Sequence, residues 1–257
     1  FLMPHQLKTI MRCLQGNTCR YMLADEVGMG KTIEAASVLK VYLLHHLNKR
    51  VLIAVPRPLM AQWKTELLIK FEIALGENVN GNLVQLIAEE DIEEYISANW
   101  DFVIADEAHK LLANKKLYVH FHALSKQTEN ILLLSATPVQ QKKAAYLSLL
   151  KLILPDKYDK FEIDEFQILV DKQKTITKST YLVLQDFDDY LENINNAIEN
   201  NESPMENEDC KDLFEDIRAG LMKITKLIED AAFTELVNTI KSTSNDWGKG
   251  AIQESLL

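Results

Sequence analysis

Leu23-Ala24-Asp25-Glu26-Val27-Gly28-Met29-Gly30-Lys31-Thr32 is the stretch on which the reading of this chain turns. The apolar run Tyr21–Ala24 suits a short buried strand, and Thr32 to about Leu47 has the spacing of a helix. A strand, a tight glycine turn and a helix N-terminus form an anion site, because backbone N–H groups and the positive end of the helix dipole converge there. Gly28 and Gly30 let the backbone approach phosphate with no Cβ between them. Lys31 supplies a cation for the β- and γ-phosphates of a nucleotide, and the Thr32 hydroxyl can ligate Mg²⁺. The strict phosphate-loop pattern has glycine where Asp25 stands, so a chance Gly-Lys-Thr in an ordinary loop is the alternative.

Three further apolar runs repeat the theme of a strand that ends in chemistry. Val51–Val55 is apolar at every position, as in a parallel strand covered on both faces, and Pro56-Arg57-Pro58 stops it. A helix then runs from about Leu59 to Phe71, with Arg57 and Gln62 placed as candidate nucleic-acid backbone contacts; Trp63 reads as core. Phe102–Ala105 delivers Asp106-Glu107-Ala108-His109, in which Asp106 suits Mg²⁺ and Glu107 suits a water-activating base. Ile131–Leu134 ends in Ser135-Ala136-Thr137-Pro138, whose hydroxyls can bond to the Asp106–His109 loop; an ordinary turn is the alternative. Upstream, Gln6 opens a helical pattern that reaches about Leu14. Its amide can donate and accept at once, which fits the adenine edge.

Between these runs, a strand is predicted near Leu83–Leu86 and an acidic helix from about Glu89. His5, His45, His46, His120 and His122 read as structural or surface residues. After them, Lys142–Leu154 is a strongly apolar helix, and Phe161 to about Lys172 another with Phe166, Ile168 and Leu169 on its buried side. Asp186–Asp216 holds 12 acidic residues against one lysine and is predicted to be a mobile linker. Leu213, Ile217, Leu221, Ile224, Ile228 and Leu236 recur at helical spacing, which predicts one long helix to about Ile240, and Asn245–Leu257 reads as a frayed end.

Bulk properties limit the function classes. The chain has 257 residues and a net charge of −10, unevenly spread. Residues 1–179 carry 22 basic against 21 acidic side chains, and residues 180–257 carry 6 against 17. That balance argues against tight autonomous DNA binding but leaves room for a few phosphate contacts. No apolar run reaches the roughly 18 residues that span a bilayer, so no membrane partner is expected. The three cysteines show no Cys-x-x-Cys pairing, which predicts neither a disulfide framework nor a zinc site and suits a reducing, intracellular setting. Phe1 in place of an initiator Met is what a fragment would show.

Asp25–Thr32, Val51–Trp63, Asp106–His109 and Ser135–Thr137 resemble motifs I, Ia, II and III of superfamily 2 helicases and translocases. Leu-Ala-Asp-Glu-x-Gly-x-Gly-Lys-Thr-Ile at Leu23–Ile33, Pro-x-x-Leu-x-x-Gln-Trp at Pro56–Trp63 and Ala-Thr-Pro at Ala136–Pro138 are similar to the Swi/Snf branch, which also carries Asp at the place of Asp25. Pro4-His5-Gln6-Leu7 and Thr32-Ile33-Glu34-Ala35 look most like its bacterial RapA-like group, which associates with RNA polymerase; similar ATPases occur in phage defence.

The resemblance implies an α/β, RecA-like P-loop lobe over residues 1–175, its parallel sheet sandwiched by helices, followed by a helical, acidic extension or inter-lobe insertion over 176–257. It implies ATP and Mg²⁺ as cofactors. Gln6 would contact adenine; Asp25, Glu26, Val27, Gly28, Met29, Gly30, Lys31 and Thr32 would cradle the nucleotide; Thr32 and Asp106 would hold the magnesium. Lys31, Asp106 and Glu107 would be catalytic, Glu107 as the base, while His109, Ser135 and Thr137 would couple nucleotide state to double-stranded DNA. Family members need a second RecA-like lobe with arginine fingers, and no strand–motif pair follows residue 175, so little turnover is expected of this chain alone. The bacterial group implies a cytoplasmic, nucleoid-associated protein. Competing readings are the motor part of a restriction or phage-defence helicase-nuclease and a non-catalytic, nucleotide-gated scaffold; retention of Lys31, Asp106 and Glu107 speaks against the scaffold.

Overall fold

A computed structural model describes residues 3–24, 30–77, 80–135, 143–204, 207–228 and 230–243. The chain divides into two compact units, residues 1–166 and 167–257. The division falls inside a helix, whereas the sequence reading set the boundary after residue 175.

Unit one is built on a six-stranded sheet. In chain order come α1 (Pro4–Leu14), β1 (Arg20–Leu23), α2 (Lys31–His45), β2 (Arg50–Val55), α3 (Met60–Phe71), β3 (Gly76–Glu77) and β4 (Leu83–Ala88). These are followed by β5 (Phe102–Ala105), α4 (Lys115–Gln127), β6 (Asn130–Leu134), α5 (Lys143–Ile153) and α6 (Pro155–Tyr158). Strand order is β1-β6-β5-β2-β4-β3, parallel except for the antiparallel edge strand β3.

The strands are apolar throughout because helices cover both faces. Val51, Ile53 and Val55 face a core that includes Ala35, Leu39, Trp63 and Leu67 from α2 and α3. Leu52 and Ala54 face the opposite core, with Leu117, Phe121 and Leu124 of α4 and Leu149 and Leu152 of α5. Burial of each such side chain is worth about 1.5–3 kcal/mol, which pins the strand register. Arg20 ties β1 to the connections beside it, donating to the carbonyls of Ser125 and Glu129 over 3.0 and 3.4 Å and to those of Ile153 and Thr128.

Unit two is helical, and here the structure corrects the sequence reading. α7 (Ile163–Glu199) is one helix of 37 residues, with no break after Lys172 and no linker from Asp186. Ser179, Val183, Tyr190 and Ala197 are buried at helical spacing, and the acidic residues between them take the outer face. α7 continues to Glu199, and the next helix begins at Glu208. Phe166 is buried as expected, but Ile168 and Leu169 are exposed, at 68% and 45%.

The expected single helix to Ile240 is two, α8 (Glu208–Ile228) and α9 (Ala231–Thr243). Asp230 restarts the chain: its Oδ1 accepts the Phe233 N–H over 2.8 Å, as an N-cap does. Likewise, the acidic segment at Glu89–Glu94 is a 3₁₀ turn, with Ile92 as its buried anchor. Among the described residues no helix is long and apolar enough to cross a membrane.

Candidate functional site

The parallel register brings the C-terminal ends of β1, β6, β5, β2 and β4 to one edge, where open α/β sheets bind ligands. Pairing of Leu23 with Leu134 sets the end of β1 beside Ser135, and pairing of Ala54 with Ala105 sets the β2 exit beside Asp106. The ladder continues one step past the strands: Ser135 N–H donates to Leu23 O over 2.9 Å, and Asp106 N–H to Ala54 O over 3.0 Å.

Gly30 is the N-cap of α2, with φ of 88°, a left-handed conformation that L side chains resist. A Cβ on it would lie 2.3 Å from Gln6 Nε2. The Gln6 amide therefore fills the space over this glycine, with its Oε1 accepting the Met3 N–H over 2.9 Å. Lys31 and Thr32 occupy the first turn of α2, where a helix attracts anions. The remaining candidate residues of this turn, Asp25, Glu26, Val27, Gly28 and Met29, lie outside the described residues, as does Thr137.

Asp106 is buried at 7% exposure, and both its oxygens are held. Trp63 Nε1–H donates to Oδ2 over 2.8 Å, and the Glu107 N–H donates to Oδ1 over 2.8 Å. Burial nevertheless raises the Asp106 carboxyl above its ordinary range, with the Glu107 charge adding to it; the two hydrogen bonds and the Lys31 ammonium oppose the rise.

Glu107 adopts φ of 49°, a left-handed conformation for a residue with a side chain, and opens the 3₁₀ turn Ala108–Ala113. Such strain, about 1–3 kcal/mol, persists only where its surroundings impose it. Its Oε2 is buried and makes no hydrogen bond; His109 Nδ1 stands 3.2 Å away, an ion pair when the imidazole is protonated. His109 Nδ1 is in turn 3.3 Å from Ser135 Oγ, so the β5 and β6 exits share a polar chain.

Arg57 and Gln62 stand apart from this cluster. The exposed Arg57 guanidinium grips Asp91 over 3.1 and 3.2 Å, with Glu90 at 3.9 Å. Gln62 Nε2 donates to Glu66 Oε1 over 3.1 Å.

Two residues of the site escaped the sequence reading. Trp63 is core, at 1% exposure, and also a donor to Asp106. Glu89 follows β4 as Asp106 follows β5, and its Oε2 is buried without a hydrogen-bond partner. Burial raises the Glu89 carboxyl, as do the Glu90, Asp106 and Glu107 charges, against Lys110. The available signal was its position: a carboxylate directly after an apolar strand.

The residues fit a magnesium nucleotide. Gly30 caps the N-terminus of α2 with the Gln6 amide against it, Glu107 Oε2 is a buried acceptor without a hydrogen bond, and Asp106 is a fixed carboxylate. Mg²⁺ is commonly held by one or two carboxylates together with substrate phosphates and water, and Asp106 could serve as one of them.

The sequence pattern of the SNF2-related domain matches residues 5–79 and 83–208. The RNA polymerase-associated protein RapA of Yersinia enterocolitica is 32% identical over 209 residues, as is that of Yersinia pseudotuberculosis, covering 71% of this chain and 21% of the relative. The chain thus spans about a fifth of the length of those relatives. The Sulfolobus solfataricus SWI2/SNF2 ATPase core, solved in complex with double-stranded DNA, matches with a TM-score of 0.55 at 14% identity, over 96% of this chain and 65% of that one. It shares the fold, a mostly parallel sheet between helices with a helical part after it. With a family pattern that covers most of its length, the chain belongs to the SNF2-related domain family as a Swi/Snf-like N-terminal lobe.

Proposed function

We propose that this chain is the ATP-binding lobe of a DNA-dependent ATPase that moves along duplex DNA and turns over only when a second RecA-like lobe completes the cleft. One observation carries the reading. Asp106 is locked by Trp63 and by the Glu107 amide while Glu107 Oε2 is left buried without a hydrogen bond, 3.2 Å from His109 Nδ1, at the edge that also holds Gly30 and Lys31. A scaffold gains nothing from an orphaned acceptor; a site that positions water does.

In this reading Gln6 holds adenine, Gly28–Lys31 hold the phosphates, and Thr32 with Asp106 hold magnesium. Magnesium, when bound, neutralises charge on the β- and γ-phosphate oxygens. Glu107 orients the attacking water and takes its proton. His109 and Ser135 carry the change at Glu107 across to the β6 exit. Arg57 and Gln62 are the proposed DNA contacts, and DNA would have to displace Asp91 and Glu66 from them. Residues 1–175 would form the lobe and 176–257 an extension toward the second. RNA polymerase is the proposed partner by analogy with RapA, in a cytoplasmic, nucleoid-associated setting.

Calorimetric titration of Mg²⁺–ATP into the chain and into Lys31→Ala tests the reading. Binding that Lys31→Ala removes supports it, and DNA-stimulated hydrolysis should then appear once a second lobe is joined. Equal binding by both proteins, or none by either, overturns it.

A further inference from the structure

α7 buries one seam and exposes another beside it. Val183, Tyr190 and Ala197, seven residues apart, are buried, and the first two pack with Cys210, Phe214, Ile217 and Ile224 of α8. The fit is close: a Cβ on Gly220 would lie 2.3 Å from Val183 Cγ2. One residue further on, Leu184, Leu191 and Ile198 repeat the spacing of seven but are 57%, 43% and 59% exposed. Phe187 and Ile194, half-buried against the α7–α8 core, fall between them. Leu184, Phe187, Leu191, Ile194 and Ile198 thus alternate by three and four, the pattern of a helix that offers an a/d seam to another helix. From Leu184 to Ile198 the seam spans 15 residues, about 21 Å between its ends at 1.5 Å rise per residue.

Charge narrows the occupant. No lysine or arginine occurs from Ser179 to Cys210, and Asp188, Asp189, Glu192 and Glu199 are exposed along α7. Nucleic acid and anionic membrane are repelled by such a face. A second copy would set carboxylates against carboxylates, since like charges beside a helical seam disfavour pairing. An amphipathic helix with cationic flanks satisfies both the apolar row and the acidic border.

We propose that the Leu184–Leu191–Ile198 face of α7 is a docking seam for a basic amphipathic helix, at least four turns long, of a partner protein. The inference stands independently of the nucleotide site.

The test uses the full chain and a synthetic 21-residue helical probe with Leu at a and d and Lys on both flanks, followed by fluorescence anisotropy. A matched probe with Glu flanks is the control. The Lys probe should bind and the Glu probe should not. The double substitution Leu191→Glu/Ile198→Glu should weaken binding at least tenfold, while Leu68→Glu, on the exposed face of α3, should leave it unchanged. Both seam positions are exposed, so circular dichroism should show unchanged helix content; the charge-reversed Asp188→Lys/Glu192→Lys chain supplies an independent arm, and it should now prefer the Glu probe. Binding of the Lys probe that survives both double substitutions, absence of binding, or a chain dimer in sedimentation that Leu191→Glu/Ile198→Glu dissolves would overturn the proposal.

Discussion

Trp63 donates its indole N–H to Oδ2 of Asp106 over 2.8 Å, and both side chains are buried. A residue of the α3 core therefore holds the carboxylate that ends β5. The second Asp106 oxygen is taken by the Glu107 amide, so the carboxylate cannot turn without breaking one of two bonds.

Trp63→Phe keeps most of the packing and deletes the donor. Loss of a hydrogen bond to a buried carboxylate costs about 1.5–3 kcal/mol, so thermal unfolding should show a lower Tm. Mg²⁺–ATP affinity should fall as well, because Asp106 loses its fixed orientation. A Tm drop with unchanged affinity would restrict Trp63 to packing.

Glu107→Gln should leave folding almost untouched, within about 0.5 kcal/mol, because Oε2 makes no hydrogen bond in the folded chain and its 3.2 Å contact with His109 is partly exposed. It should retain Mg²⁺–ATP binding and, in the two-lobed protein, cut DNA-stimulated hydrolysis by roughly 10²–10⁴. Glu107→Gly should stabilise the chain by about 1 kcal/mol by relieving the left-handed backbone. Both effects can be read from denaturant melts beside a phosphate-release assay.

Gly30→Ala sets a Cβ 2.3 Å from Gln6 Nε2 at a backbone φ of 88°. Expected results are a loss of about 1–2 kcal/mol and much weakened nucleotide binding. Adding Gln6→Ala removes the clash and not the backbone strain, so melts of the double variant should show only partial recovery.

Asp101 anchors the start of β2, accepting Lys49 Nζ–H and the Arg50 N–H over 2.8 Å each. Burial would raise its carboxyl, but the Lys49 and Arg50 interactions outweigh this and hold it below its ordinary 3.8. A carboxyl lowered by folding stabilises the chain fully above its unfolded value, and the gain disappears as pH falls through the folded value. Asp101→Asn should thus cost about 0.5–2 kcal/mol at pH 7 and nothing once the pH is well below that of the folded carboxyl. Paired melts from pH 7 down to pH 2.5 check the convergence.

Gly220→Ala would add about 1 kcal/mol of helix propensity to α8. Contact with Val183 should reverse the sign, giving a net loss of about 1–3 kcal/mol in unit two. Combining it with Val183→Ala should recover part of the loss, and a double-mutant cycle of urea midpoints measures the coupling.

Much of the site is legible in the chain because its chemistry is local. Asp106-Glu107 and Ser135 each follow directly on an apolar run, Gly30-Lys31-Thr32 comes shortly after another, and a parallel sheet needs only that pattern to bring strand ends to one edge. The helical unit is less legible, for a related reason. From Asp186 its acidic composition reads as linker, yet Tyr190, Ile194 and Ala197 recur at helical spacing, and three residues per two turns suffice to bury a stripe.

Tertiary structure alone decided the rest. Trp63 and Asp106 are separated by 43 residues, and their bond exists only because α3 packs over the face that β5 shares with β2. Glu89 joins the carboxylates because β4 pairs with β2, and Gln6 meets Gly30 because α1 packs on α2. Side-chain type and the order of strands and helices are properties of the linear chain, set by periodicity and by what each residue can bury. Which donors face which acceptors depends on strand order, register and helix placement, and those arise from the simultaneous burial of both faces of the sheet.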